Sequence, residues 1–84
     1  MKILICDDHK IVRDELRQIL HQLQIVTNIR EIGDGNEALT LLKNDVFDII
    51  LLDISLPGKS GLDVLQSVKE KWPSTNVLML SMHP

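Results

Sequence analysis

Two short apolar runs decide the fold. One is Lys2-Ile3-Leu4-Ile5-Cys6, which continues into Asp7-Asp8, and the other is Phe47-Asp48-Ile49-Ile50-Leu51-Leu52, which continues into Asp53. Apolar runs of this length are typical of strands that are covered on both faces in a parallel sheet. Parallel strands present their carboxyl ends at one edge, which is where open α/β sheets place ligand sites. The three aspartates are therefore predicted to meet at that edge.

Three carboxylates at one sheet edge repel one another unless a cation neutralises them. Carboxylate oxygens suit Mg²⁺, which commonly accompanies phosphoryl groups in proteins. The cluster therefore indicates phosphoryl chemistry. Taken singly, Asp7 could be only a solvated strand end and Asp8 only a helix N-cap. Asp53 is harder to explain in this way, because a charged residue that closes a central apolar strand is buried at a cost unless it serves a function.

Composition limits the class of protein. The 84 residues are enough for one small domain, and an apolar content of 44% with 25% charged residues is typical of a globular chain. The apolar runs are too short to span a bilayer and the N-terminus does not resemble a secretory signal, so a cytoplasmic location is expected. The net charge is -3, the nine basic residues are scattered and aromatic residues make up 2%, so direct binding of nucleic acid by this chain is not expected. Cys6 is interpreted as a buried structural thiol.

Helical and strand patterns alternate along the rest of the chain. Asp8 or His9 is predicted to begin a helix whose apolar face consists of Val12, Leu16, Ile19, Leu20 and Leu23. The other predicted elements are an edge strand over 25–32, a helix over 36–42 capped by Asn36, a central strand over 47–52, a helix with apolar positions Leu62, Leu65, Val68 and Trp72 that Pro73 ends, and a strand over 76–81. The order β-α-β-α-β-α-β predicts an α/β, doubly wound parallel sheet.

An acid pair, an acid that closes a central strand, a Pro-Gly loop and a strand-end serine occur in this order. They lie within the segments 3–13, 48–63 and 77–84. With these segments the chain resembles the receiver domain of two-component response regulators, of the NarL/LuxR type, over all 84 residues. The resemblance implies a flavodoxin-like (CheY-like) fold with strand order 2-1-3-4. It also implies that residues 1–84 are a truncated receiver domain, which lacks the family's last helix, strand and helix.

The resemblance also implies roles for individual residues. Asp53 is the expected phosphoacceptor, a nucleophile toward the phosphohistidine of a sensor histidine kinase. The expected Mg²⁺ site also includes Asp53. In it Asp8 is expected to bind the ion directly, Asp7 largely through water, and Ser55 through its backbone carbonyl. Ser81 is the expected switch hydroxyl. The histidines at positions 9, 21 and 83 lie on different predicted elements without ligand spacing, so a metal site that uses them is not expected.

The chain departs from the family pattern at its end. The family's lysine at the end of a fifth strand and the aromatic residue on that strand have no counterpart here, and the DNA-binding domain of such regulators is not among these residues. Phosphorylation of Asp53 is therefore expected to be impaired. The fourth strand is expected to be an exposed edge that a second copy covers, by edge pairing or by domain swapping.

Two alternatives to a phosphoacceptor signalling module, which is not an enzyme, stay open at this point. The chain could be a dimerising or interaction fragment that acts without phosphorylation. It could also be a Mg²⁺-dependent phosphotransferase or phosphatase with an aspartate nucleophile. Haloacid dehalogenase-like enzymes of that kind place a second acid two residues after the nucleophile. That position is Ser55 here, which weighs against the enzyme.

Overall fold

The computed structural model describes residues 1–80. Strands and helices alternate in these residues as β1 (Lys2–Cys6), α1 (Lys10–His21), β2 (Asn28–Ile32), α2 (Gly35–Asn44), β3 (Ile49–Asp53), α3 (Gly61–Lys71) and β4 (Asn76–Leu80). The strands form one parallel sheet in the order β2-β1-β3-β4. The predicted fold class and strand order are confirmed.

One face of the sheet, the α2/α3 face, carries most of the core. Side chains of β1 and β3 pack there against α2 and α3, and ten residues are buried: Leu4, Cys6, Ala38, Leu42, Phe47, Ile50, Leu52, Leu56, Val64 and Val68. Alternate residues of a strand point to opposite faces, so this set takes every second position of the two central strands. Cys6 lies within this cluster, and burial raises the pKa of its thiol to about 12, which agrees with the prediction of an inert structural thiol.

The opposite face, the α1 face, is covered more thinly. Its buried residues are Ile3, Ile5, Ile29 and Leu51, and Leu16 and Leu20 of α1 pack against them. No residue of α1 is itself buried. The predicted apolar face of this helix is therefore only partly correct, since Ile19 is 59% exposed and Leu23, which follows the helix, is 47% exposed.

Several predicted boundaries move by a few residues. The strand predicted over 25–32 begins at Asn28, because Val26 and Thr27 form backbone bonds to Leu23 and Met1 before pairing begins. The N-cap of α2 is Asp34 rather than Asn36, with the Asp34 carboxylate accepting from the backbone N–H of Asn36 at 2.7 Å. Helix α3 ends at Lys71, ahead of Pro73 as expected. Its inward positions are Val64 and Val68, whereas Leu62 is exposed.

The description of the chain ends with the fourth strand. Strand β4 is followed as far as Leu80, and Ser81 lies outside the described residues. Among residues 1–80, no helix has the length and apolar character that crossing a bilayer requires.

Candidate functional site

Strand register brings two aspartates to the same level of the sheet. Cys6 of β1 pairs with Leu52 of β3, so the next residue on each strand is an aspartate, Asp7 and Asp53. Both lie at the carboxyl edge, and both are buried, with 0% and 3% of their surface exposed. Ionised groups are seldom buried to this degree without a partner. The predicted meeting of acids at this edge is therefore observed.

The carboxylate of Asp53 is held by one oxygen only. Its Oδ1 accepts a hydrogen bond from the backbone N–H of Ser55 at 3.0 Å. Its Oδ2 is buried and has no hydrogen-bond partner. A carboxylate oxygen that is buried without a hydrogen-bond partner costs free energy unless a ligand, such as a cation, binds it.

A glycine keeps the chain around Asp53 compact. The backbone N–H of Gly61 donates to the carbonyl of Ile54 at 2.9 Å, which closes the loop between β3 and α3. A Cβ atom on Gly61 would lie 2.1 Å from the backbone oxygen of Asp53. Only glycine permits this approach, so the start of α3 is fixed against the strand end that carries Asp53.

Asp7 shows the same asymmetry between its two oxygens. Its Oδ1 accepts from the backbone N–H of His9 at 2.8 Å and lies 2.9 Å from the ring Nδ1 of His9. Its Oδ2 is buried and without a partner. The Arg13 guanidinium donates to the backbone carbonyl of Asp7 at 2.6 Å, so the cation is directed at the main chain of this residue.

Asp8 and His9 form the open side of the cluster. The side chain of Asp8 is 38% exposed, and its Oδ1 lies 3.2 Å from Nδ1 of His9. The pKa of His9 is raised, first because Asp7 accepts a hydrogen bond from its ring and then because of the charge on Asp8. The N-cap of α1 is His9, and its side chain forms no capping hydrogen bond. The interpretation of Asp8 as only a helix N-cap is therefore wrong.

The structure brings together most of the predicted site residues and adds one. Ligand atoms of Asp7, Asp8, His9 and Asp53 all lie within 4.8 Å of one another. His9 was not expected here from the residue spacing, and the only signal for it is its place directly after the acid pair. The carbonyl of Ser55 as a metal ligand stays a prediction, and the predicted switch hydroxyl of Ser81 falls outside the described residues.

The donor set fits a hard divalent cation. Asp7 and Asp53 each have one buried carboxylate oxygen without a hydrogen-bond partner. Other possible ligand atoms of the site, including those of the half-exposed Asp8, lie close by. Mg²⁺ takes carboxylate oxygens and keeps several waters, so it needs an open side of this kind. A cation bound there would also offset the repulsion among the three acids.

Comparisons with known proteins agree with this geometry. The family model described as "Response regulator receiver domain" matches residues 3–84. The oxygen regulatory protein NreC of Staphylococcus haemolyticus is 34% identical over 84 residues, which cover 99% of this chain and 39% of NreC. The response regulator UvrY of Escherichia coli is 28% identical over 83 residues, which cover 99% of this chain and 38% of UvrY.

A solved structure shows the same fold. It contains two RcsB dimers bound to two parallel DNAs and superposes with a TM-score of 0.92 at 28% identity, covering all of this chain and 46% of the RcsB chain. The chain spans about two-fifths of the length of the curated relatives it matches. The matched span, the strand order and the relatives UvrY and NreC lead to one conclusion: the chain belongs to the receiver domains of two-component response regulators.

Proposed function

We propose that Asp53 accepts a phosphoryl group from the phosphohistidine of a sensor histidine kinase. The observation that carries this proposal is the buried Oδ2 of Asp53, which has no partner at the carboxyl edge of the sheet. Such an oxygen can act as a nucleophile, because its lone pairs are not engaged in hydrogen bonds within the protein. The backbone N–H of Ser55 holds the other oxygen and so fixes the orientation of the carboxylate.

The transfer exchanges one phosphorus bond for another. A carboxylate oxygen of Asp53 attacks phosphorus, the P–N bond to the histidine breaks, and the leaving imidazole nitrogen keeps the electron pair and takes a proton. The product is an acyl phosphate on Asp53 and a neutral histidine on the kinase. The protein's part is to present a fixed carboxylate and to exclude competing contacts from it.

The metal in this proposal is Mg²⁺. Asp8 and Asp53 are the direct ligands, Asp7 acts largely through water, and the backbone carbonyl of Ser55 completes the protein's share. Bound there, the ion supplies charge neutralisation between the incoming phosphoryl group and the acids. The two partnerless oxygens on Asp7 and Asp53 support this assignment.

The signal is proposed to end in transcription. RcsB, a structural relative at 28% identity, is described as bound to DNA. This chain carries a charge of -3 without a basic block, so we assign DNA binding to another part of a longer protein rather than to these residues. Ser81 is the proposed switch hydroxyl for the phosphorylated state.

The test uses beryllofluoride, which mimics a phosphoryl group on a carboxylate. With Mg²⁺ present, bound fluoride resonances in ¹⁹F NMR and amide shifts at Asp7, Asp8 and Asp53 are expected. Asp53→Asn should abolish the bound resonances, because an amide oxygen is too weak a donor for beryllium. Asp63→Asn is the matched control, since Asp63 is an exposed acid on α3. Binding that survives Asp53→Asn, or that is lost equally in Asp63→Asn, would contradict the proposal.

Phosphorylation itself is expected to be slow in a chain limited to these 84 residues. The family's lysine would be one preorganised donor to the phosphoryl group, and loss of such a donor costs ~3 kcal/mol, or roughly a hundredfold in rate. Mass spectrometry after incubation with acetyl phosphate measures the rate. Transfer at ordinary receiver rates would overturn this part of the proposal and leave the phosphoacceptor assignment intact.

A second proposed property is homodimerisation of the 84-residue chain through β4. In the described sheet β4 pairs only with β3, its Leu78 is 57% exposed, and none of its residues is charged. An uncharged edge strand is a template for pairing with another chain. A second copy, paired through this edge or by exchange of elements, is the proposed partner. Light scattering at micromolar concentration should give the mass of a dimer, and a folded, cooperative monomer would exclude it.

A further inference from the structure

The ring of His9 reaches into the acid cluster. Its Nδ1 lies 2.9 Å from Asp7 Oδ1 and 3.2 Å from Asp8 Oδ1. The backbone N–H of the same residue also donates to Asp7 Oδ1, at 2.8 Å. Two contacts from one residue to one carboxylate oxygen hold the imidazole beside the acids, although 59% of its side chain is exposed.

The distances are compatible with one shared ion. The ligand atoms of Asp7, Asp8, His9 and Asp53 lie within 4.8 Å of one another. Ligands on opposite sides of an ion with bonds of about 2.1 Å are roughly 4.2 Å apart, so a small contraction brings all four onto one ion. Partnerless, buried oxygens on Asp7 and Asp53 provide an independent reason to expect a cation between them.

A nitrogen donor changes which ion such a site prefers. Carboxylate and water ligands suit Mg²⁺, whereas a neutral imidazole suits first-row transition ions, whose affinities rise along the series toward copper. On the basis of the proposed metal site, we propose that His9 is a nitrogen ligand, and that this receiver domain binds a divalent transition ion at Asp7, Asp8, His9 and Asp53 more tightly than Mg²⁺. In the bound state His9 exchanges its hydrogen bond to Asp7 for a bond from the ring nitrogen to the ion.

Cobalt is a suitable probe because its visible absorption and its hyperfine-shifted proton signals report imidazole coordination. Co²⁺ and Mg²⁺ are titrated separately into the 84-residue chain at one fixed pH, the same for every variant, because protons compete with a metal ion for the imidazole nitrogen. His9→Gln tests the ligand, because a glutamine amide can still donate to Asp7 but offers no imidazole nitrogen. His21→Gln is the matched control, since His21 is an exposed histidine at the other end of the same helix.

The expected result is a loss of Co²⁺ affinity of about tenfold or more in His9→Gln. Mg²⁺ affinity, followed by amide shifts, should change by less than about threefold, which is the size of an ordinary surface effect. His21→Gln should leave both affinities unchanged. Shifted imidazole signals should be present in the native chain with Co²⁺ and absent in His9→Gln. His9→Ala, checked by circular dichroism, repeats the test without the glutamine amide.

The outcomes separate this inference from the proposed function. Co²⁺ affinity and imidazole signals that do not change in His9→Gln would overturn the role of His9, while binding of Mg²⁺ that depends on Asp53 would leave the proposed metal site standing. If Asp53→Asn weakens neither ion, the metal site itself is wrong. Loss of Co²⁺ binding in His21→Gln would show adventitious binding to surface histidines and would also overturn the inference.

Discussion

The two faces of the sheet are built from the same strands but are covered very differently. The α2/α3 face buries ten side chains between the sheet and its two helices, and the α1 face buries four between the sheet and its one helix. The neighbouring residues Leu52 and Leu51 of β3 illustrate the contrast, since the first is 0% exposed on the α2/α3 face and the second 7% exposed on the α1 face. Apolar area removed from water is the main source of folding free energy. Most of the folding free energy that comes from apolar burial is therefore contributed by one side of the sheet.

The candidate site draws on both sides of this uneven fold. Asp53 is fixed by the loop that leads into α3, through Gly61. Asp7 is held by contacts from His9 and Arg13, which lie at and near the start of α1. One half of the site thus rests on the well-packed layer and the other half on the thinly packed layer. Asp7 and Asp8, which follow β1, should consequently be more mobile than Asp53.

The largest expected effect comes from truncating the two neighbouring leucines of β3. Leu52→Ala should lower the free energy of unfolding by ~3–5 kcal/mol, because the cavity lies within tightly packed surroundings. Leu51→Ala should cost ~2–3 kcal/mol, since the thinner α1 layer can close over the space. Urea unfolding measures the free energy of unfolding of both variants. Trp72 packs against the α2/α3 face, so its fluorescence follows that face, and circular dichroism follows the helices.

The matched valine variants, Leu52→Val and Leu51→Val, extend this test to smaller losses. A domain of 84 residues has a total stability of only ~4–13 kcal/mol, so the alanine change at Leu52 removes a large share of it. Equal costs at the two positions would contradict the comparison. They would show that the α1 face is as firmly covered in solution as the α2/α3 face.

The next effect concerns two glycines at the carboxyl edge of the sheet. On the α3 side, Gly61→Ala brings a methyl group against the backbone of Asp53 and Ile54, and overpacking of this kind costs ~1–3 kcal/mol. On the α1 side, a Cβ on Gly33 would lie 3.4 Å from the flexible Arg13 guanidinium. Gly33→Ala should therefore be neutral, or stabilising by up to about 1 kcal/mol through the unfolded state.

Thermal unfolding measures the stability of both glycine variants, and the beryllofluoride resonances measure the state of the site. Gly61→Ala should weaken beryllofluoride binding as well as stability, because it displaces the strand end that carries Asp53. Gly33→Ala should preserve both. A stable Gly61→Ala variant with native binding would mean that the loop into α3 adapts and does not fix Asp53.

The acid cluster was predictable because it follows from the positions of the two apolar runs and of the residues that end them, whereas the strand order came from the resemblance to receiver domains. The asymmetry between the faces was not predictable, because helical periodicity assigns Ile19 to an inward face without showing how much of the sheet lies beneath it. The N-cap of α2 was misplaced since Asp34 and Asn36 are both good caps. The deciding contact is the bond from Asp34 to the N–H of Asn36. The place of His9 depends on the orientation of its ring, which residue spacing does not encode.

The smallest expected effect compares an ion pair that joins layers with one inside α1. Lys2 of β1 donates to Asp45, which follows α2, whereas Lys10 pairs with Asp14 within one helix at 2.9 Å. The hydrogen bond from Lys2 lowers the pKa of Asp45, so the pair adds stability above the unfolded pKa of the carboxyl and loses it as the pH falls through the folded pKa.

Asp45→Asn should therefore shift the urea midpoint slightly downward at neutral pH, and the difference from the native chain should vanish in acid. Asp14→Asn should leave the midpoint within error at neutral pH, because exposed pairs contribute little. A larger shift for Asp14→Asn than for Asp45→Asn would reverse the comparison. It would mean that the ion pair within α1 contributes more to stability than the ion pair that links β1 to the end of α2.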